Sequence, residues 1–297
     1  MAGLGEVLWR VKNEIEQDRV TSVAAGVAFH IVLSLFPFLI ALVSLYGLIA
    51  DPGDVRGQLQ SLLGGIVPAS AIQLLGEQLA GVASRSAWTL LGGMFLGFLA
   101  AAWCASTGVH VMMQGIQVAF DETNAPSFVR QRGRALLLTV GLVVLSVAAV
   151  VALAVVPVVV ERMARGTLEA RALFWGRWPL LALLCAAILG GVHRLAPARG
   201  ATERHWMSWG VVFATASWLG VSALASVLVG RFAGHQGTYG ALGVFIVVML
   251  WIYLSALVTL TGGELDAELD ARRAMDSPVG AEVGEGLADP LVEPRAH

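Results

Sequence analysis

The amino-acid sequence predicts an all-α, polytopic membrane protein with six transmembrane helices plus amphipathic interfacial helices. Three observations lead there. Six stretches contain no Asp, Glu, Lys or Arg: Val20–Ala50, Ser86–Phe120, Ala135–Val160, Trp178–His193, His205–Gly230 and Phe232–Gly263. Five of them exceed the roughly 20 apolar residues that a hydrocarbon core about 30 Å thick requires. The composition agrees, with 57% hydrophobic and 13% charged residues and a mean hydropathy of +0.75, against about 25% charged in a soluble domain. Inside lipid every backbone N–H and C=O must be paired within the protein, so these segments are helices.

Residues 1–19 come first. Leu4, Val7, Leu8, Val11 and Ile15 fall on one helical face, with Arg10, Lys12, Glu14 and Glu16 elsewhere. That spacing describes an amphipathic helix, lying in the interface or packed on the end of the bundle. The polar N-terminus and the long first apolar run predict an uncleaved insertion signal rather than a cleavable one.

A transmembrane domain over residues 20–270 follows. Between its first two spans, residues 55–84 are expected to form an amphipathic hairpin. Val55, Leu59, Leu62, Leu63 and Ile66 repeat at helical spacing, Pro68 interrupts, and Ile72, Leu75, Leu79 and Val82 resume the pattern. The fourth span has only 16 uncharged residues, and crosses only if Arg177 and Arg194 extend their heads to the two interfaces. Trp88, Trp175, Trp178, Trp206 and Trp209 stand at segment ends, where an amphipathic ring suits the headgroup layer. Gly93-x-x-x-Gly97 and Gly210-x-x-x-Ala214 mark close helix contacts. Residues 271–297 form a C-terminal tail, acidic and Pro- and Gly-bearing from Asp276 onward, expected to be disordered.

Orientation follows the arginines, since Lys12 is the only lysine. With the N-terminus inside, the cytoplasmic pieces carry 12 Arg and Lys and the outer loops 7. This moderate bias places both termini in the cytoplasm. Cys104 and Cys185 both fall within spans, as small apolar side chains rather than a disulfide framework.

Pro37, near the middle of the first span, cannot donate to the Leu33 carbonyl, so the helix should kink or open there. One consequence is a broken helix lining a substrate cavity; the other is a kink satisfied by neighbours or by Ser34. Arg130, Arg132 and Arg134 precede the third span. They either clamp a lipid phosphate or serve as ordinary positive-inside anchors, and Arg194 has the same two readings. Glu264, at the inner end of the sixth span, is a candidate for an ion pair, for a titrating group in a proton-coupled cycle, or for simple solvation. His30, His110 and His235 show no metal-ligand spacing, and no nucleophile elbow or glycine-rich phosphate loop is present. The expectation is a protein without catalytic activity, metal or other cofactor.

Several patches together resemble the YihY/BrkB family of bacterial inner-membrane proteins. They are Ala24-Ala25-Gly26-Val27-Ala28-Phe29 leading to Ser34-Leu35-Phe36-Pro37, and the arginine-rich entry to span three. Arg194-Leu195-Ala196-Pro197 and Trp209-Gly210 come next. The last run is Tyr239-Gly240-Ala241-Leu242-Gly243 through Trp251-Ile252-Tyr253-Leu254 to Gly263-Glu264-Leu265. The likeness covers about residues 10–270. The chain departs from it with His193 where Tyr is usual, Gly263 where Ala is usual and Asp266 where Asn is usual. The resemblance implies a cytoplasmic-membrane protein associated with virulence and serum resistance, and in some members with export of lipid-like molecules. An old ribonuclease label also attaches to the family. RNA hydrolysis needs a metal cluster or an acid–base pair in a basic groove, and neither is visible.

The leading expectation is therefore transport or export of a lipid-like or anionic amphiphilic molecule. Arg130, Arg134 and Arg194 would attract its head group beside a cavity at Pro37, and Tyr239 and Glu264 would shape the inner mouth. The alternative is a non-transporting envelope-integrity or scaffold protein that self-associates through the 55–84 hairpin. The expected partners are membrane lipids, the amphiphile and further copies of the chain, with no nucleic acid.

Overall fold

A computed structural model describes residues 4–49, 57, 60, 69–121, 127–162, 168–197, 208–233 and 238–275. The described residues form helices α1 (Leu4–Gln17), α2 (Val20–Ile49), α3 (Ala69–Ala83), α4 (Ala87–Ala119), α5 (Phe128–Arg162), α6 (Leu168–Leu195), α7 (Trp209–Ala233) and α8 (Thr238–Met275). No strand occurs among them. The fold is all-α, as the uncharged runs require.

Five helices are long and apolar enough to cross a membrane: α2, α4, α5, α7 and α8. In α6 the qualifying apolar stretch is the shorter Pro179–Leu195. The helix itself is 28 residues long because it begins at Leu168, ahead of the expected span. At 1.5 Å per residue it is roughly 42 Å long, more than a bilayer core, so only its apolar part is short.

Close packing of α2 against α4 organises the bundle, and glycine makes it possible. A Cβ on Gly97 would stand 2.8 Å from the Pro37 carbonyl oxygen and 2.9 Å from the Ala41 nitrogen. Gly93 meets Ser44, Gly108 meets Val27 and His30, and Gly115 meets Val23 and Leu260. The four glycines share one face of α4, and their partners run backwards along α2, so the pair is antiparallel. Helix α2 continues through Pro37 without interruption. The break expected there is not observed; α4 presses against that turn instead. The Ser34 hydroxyl donates to the Ile31 carbonyl at 2.6 Å.

Helices α7 and α8 pair in the same manner. A Cβ on Gly210 would strike the Gly262 carbonyl and the Asp266 carboxylate, and Ala214 packs beside Gly262. Further along, Trp251 Nε1 donates to the Ser222 hydroxyl at 3.0 Å. The buried core gathers Val20, Ala24, Val27, Val109, Met113, Ile116, Ala135, Leu138, Val192, Ala196, Ala256 and Leu260. These belong to the start of α2, the end of α4, the start of α5, the end of α6 and the C-terminal half of α8. One end of the bundle is thus the densely packed end. Elsewhere long apolar side chains such as Phe95, Leu137 and Ile246 face outward, as a lipid-facing surface requires.

Helix α1 packs on that same end. Val11 is buried, Ile15 joins the core, and Arg10 approaches Glu268 of α8 at 4.0 Å. The described part of residues 1–19 thus has contacts with the bundle. Helix α3 supplies the second half of the expected 55–84 hairpin and lies against α2, with Val82 beside Gly47. Of its first half only residues 57 and 60 are described. Trp88 and Trp209 stand exposed at helix starts; the side chains of Trp175, Trp178 and Trp206 lie outside the described residues. Helix α8 runs to Met275, past the boundary at 270, and residues 276–297 of the expected tail lie outside the described residues.

Candidate functional site

The polar groups converge on the densely packed end. Helix α1 gives way to α2 through a corner in which Arg19 takes a φ of 51°, and α4 ends at Asp121 with a φ of 49°. Both are left-handed conformations that a residue with a Cβ adopts at a cost. The two corners leave Asp18 and Asp121 beside the last turns of α8. With Glu14, Glu264, Glu268 and Asp270 they line a cavity of ≈ 230 Å³.

The rim carboxylates are neutralised. Arg272 Nε donates to Glu268 at 2.8 Å and Arg273 Nη1 donates to Asp270 at 3.1 Å. The inner ones are held differently. Glu264 is only 3% exposed, and it lines the same cavity as Asp18. Burial, and then the negative field of Asp121, raise the Asp18 carboxyl above the usual carboxylate range, while the neighbouring Glu264 pulls it partly back. Glu14 is raised by burial and then by Asp18, Asp121 and Glu268. The cavity therefore has an affinity for protons built from crowded acids.

A second network lies beside it. Asp266 accepts from the Ser208 hydroxyl at 2.6 Å, from the Gly210 amide at 2.7 Å and from His193 Nδ1 at 3.1 Å. His193 Nε2 lies 2.9 Å from the Thr259 carbonyl oxygen. The ring thus lies between the Asp266 carboxylate and the Thr259 carbonyl. The pair joins α6 to α8 and, through Ser208 and Gly210, holds the start of α7. Gln117 Nε2 donates to the Ala196 carbonyl at 2.7 Å and Gln131 Nε2 to Gln117 Oε1 at 3.2 Å, tying α4 and α5 to the end of α6.

The residues singled out in sequence do not form one site. Glu264 lies in the acidic cavity. Pro37 is 19 residues from Asp18, roughly 28 Å along the chain at helical rise, and belongs to the α2–α4 contact. Arg130 is exposed on the first turn of α5; Arg134, one turn on, is half-buried with its Nη1 lacking a partner. Arg194 follows His193 at the end of α6 and is engaged by neighbours. Tyr239 and Glu264 cannot shape one mouth, because both ride on the unbroken α8, roughly 38 Å apart. Tyr239 is at the far end, and its side chain lies outside the described residues.

Sequence reading missed Glu14, Asp18 and Asp121, which stand in an interfacial helix and two turns and converge only in three dimensions. It also left His193 and Asp266 without roles. Both are departures from the resembled pattern, and the two departures touch each other. A paired change was the one available signal.

The chain matches the family described as virulence factor BrkB over residues 11–284. It is 32% identical over 261 residues to the ribonuclease-like protein YfkH of Bacillus subtilis (strain 168), covering 86% of this chain and 91% of that one. It is 24% identical over 254 residues to a UPF0761 membrane protein of Pseudoalteromonas atlantica (strain T6c / ATCC BAA-1087), covering 85% and 82%. No solved structure matches it.

Proposed function

The chain belongs to the virulence factor BrkB family of membrane proteins, and from that premise we propose that it is a proton-coupled transporter or exporter of a lipid-like, anionic amphiphile. It would work in the bacterial inner membrane with both termini in the cytoplasm, and without catalysis. One observation carries this reading: Glu264, on a bilayer-crossing helix, is buried against a cavity that Glu14, Asp18 and Asp121 also line. Ionisable groups at such depth are expensive and mark ion or proton pathways. The crowded carboxylates would repel an anionic head group, so the cavity suits the coupling proton. Arg130 and Arg134 on α5 would attract the head group instead.

Reconstitution tests it. Vesicles holding the protein and a fluorescent phosphatidylglycerol should move the label between leaflets faster than empty vesicles, and faster still under a pH gradient. Glu264→Gln should abolish the gradient's effect. Movement no faster than in empty vesicles would reject transport of this class; movement indifferent to pH in both forms would reject the coupling role.

The tight packing of α4 on α2 around Pro37 favours a second reading, a non-transporting envelope-integrity or scaffold protein. On that reading Gly97 substitutions would impair envelope integrity while label movement stayed at the level of empty vesicles.

A further inference from the structure

Helix α4 carries no charged residue, and the only acid on α5 is Glu161 at its far end. Arg132 nevertheless leaves α5 to lie on α4. Its guanidinium sits 4.0 Å from the centre of the Trp103 ring. Its Nη2 donates to Thr107 Oγ1 at 2.9 Å and to the Trp103 carbonyl at 3.2 Å. That carbonyl also accepts from Ser106 and Thr107 at 2.9 and 2.8 Å. One edge of the guanidinium is therefore fixed by neutral groups and an aromatic face. Its Nε is buried without a partner, and so is Nδ1 of His110, three residues beyond Thr107 on α4. His110 and Arg132 are close enough to interact electrostatically. A cation held in place with a spare donor and, among the described residues, no paired acid is incomplete, because an unpaired charge at low dielectric is costly. The missing group is an anion.

The surroundings say which anion. Trp103 is 59% exposed on what a bilayer would cover. One turn further along α4 Leu99 is exposed, and along α5 Leu136 and Val140 follow Arg132 at one and two turns, also exposed. An apolar track thus leads away from the cation, as acyl chains lead away from a phosphate. Tryptophan and arginine both favour the headgroup level, and a guanidinium suits a phosphate's geometry. We propose that the α4–α5 seam at Trp103, Thr107, His110 and Arg132 binds the phosphate of an anionic phospholipid, with its chains lying along Leu99, Leu136 and Val140. The site is separate from the acidic cavity and does not depend on the transport reading, since binding is measured without movement.

Native mass spectrometry of the full chain, purified in a neutral detergent and offered phosphatidylglycerol and phosphatidylcholine together, tests the site. The natural protein should retain phosphatidylglycerol preferentially. Arg132→Gln should weaken that retention about tenfold, the loss expected for a charge-assisted hydrogen bond. Trp103→Leu should weaken it too, while Arg132→Lys, which keeps the charge without the planar stack, should recover part of it. Arg85→Gln, an exposed arginine between α3 and α4, should change nothing. Inorganic phosphate should compete poorly. Unaltered lipid preference in both Arg132→Gln and Trp103→Leu would overturn the proposal, as would an equal loss in Arg85→Gln or equal binding of free phosphate. Should Arg132→Gln fail to fold by thermal melting, Trp103→Leu decides.

Discussion

Asp266 shows how much one side chain can hold: its carboxylate meets Ser208, Gly210 and His193, and so fixes three helices at one point. Asp266→Ala would leave the Ser208 hydroxyl, the Gly210 amide and His193 Nδ1 without their shared partner. Leaving a buried donor unsatisfied costs about 1–3 kcal/mol, and with several orphaned at once thermal denaturation in detergent should register a melting temperature lower by about 10 °C. The double variant with His193→Ala should lose clearly less than the sum of the single losses, because the two side chains share one contact. The acids of the cavity make a different statement. Glu14 and Asp18 are raised above their ordinary values of 4.5 and 3.8 in the folded protein. The folded chain therefore binds protons more tightly than the unfolded chain, and stability falls as pH rises through the raised range. Melting temperature should increase as pH is lowered from 7.5 toward 5. Asp121→Asn, which removes a charge that raises both groups, should flatten that slope. None of these partnerships was legible from spacing. Glu264 stood out as an acid next to an apolar run, but His193 and Asp266 are 73 residues apart and meet only through the packing of α6 on α8.

At the scale of the element, the helices themselves were the most readable part of the chain. Lipid leaves the backbone no alternative to internal pairing, so uncharged runs translate directly into α2, α4, α5, α7 and α8. The limits were less readable: α6 starts well before its uncharged run and α8 continues past its last one, because helices end where capping and packing stop rather than where charges begin. Of the four glycines on α4 that face α2, Gly93 and Gly97 announced themselves by their spacing. Gly108 and Gly115 belong to the same face but become meaningful only once the register of α2 is known. Gly97→Leu would drive a side chain into the Pro37 turn, at a cost of about 1–3 kcal/mol or more, and a detergent melt should show it as clear destabilisation. Gly133→Leu, on α5 with nothing near its Cβ, should be nearly silent in the same measurement. At the α1–α2 corner, Arg19→Gly would relieve the left-handed strain and raise stability by about 1 kcal/mol. A lower melting temperature in that variant would mean the arginine side chain holds the corner through contacts worth more than the strain.

Across the whole molecule, the start of α2, the ends of α4, α6 and α8 and the starts of α5 and α7 all gather at one end, with α1 laid across it. Six of the described helices, five of them long and apolar enough to cross a membrane, alternate in direction. The acidic cavity, the His193–Asp266 pair and both described ends of the chain lie at that one end, which the proposed topology turns toward the cytoplasm. Side-specific labelling tests this most directly. In a chain with Cys104 and Cys185 replaced by serine, single cysteines at Lys12, Asp270 and Ser84 would be exposed to an impermeant thiol reagent in intact spheroplasts and in inverted vesicles. The account requires Lys12→Cys and Asp270→Cys to react only in inverted vesicles and Ser84→Cys only in spheroplasts. Reaction of Lys12→Cys and Asp270→Cys from opposite faces would mean an odd number of crossings and would contradict it.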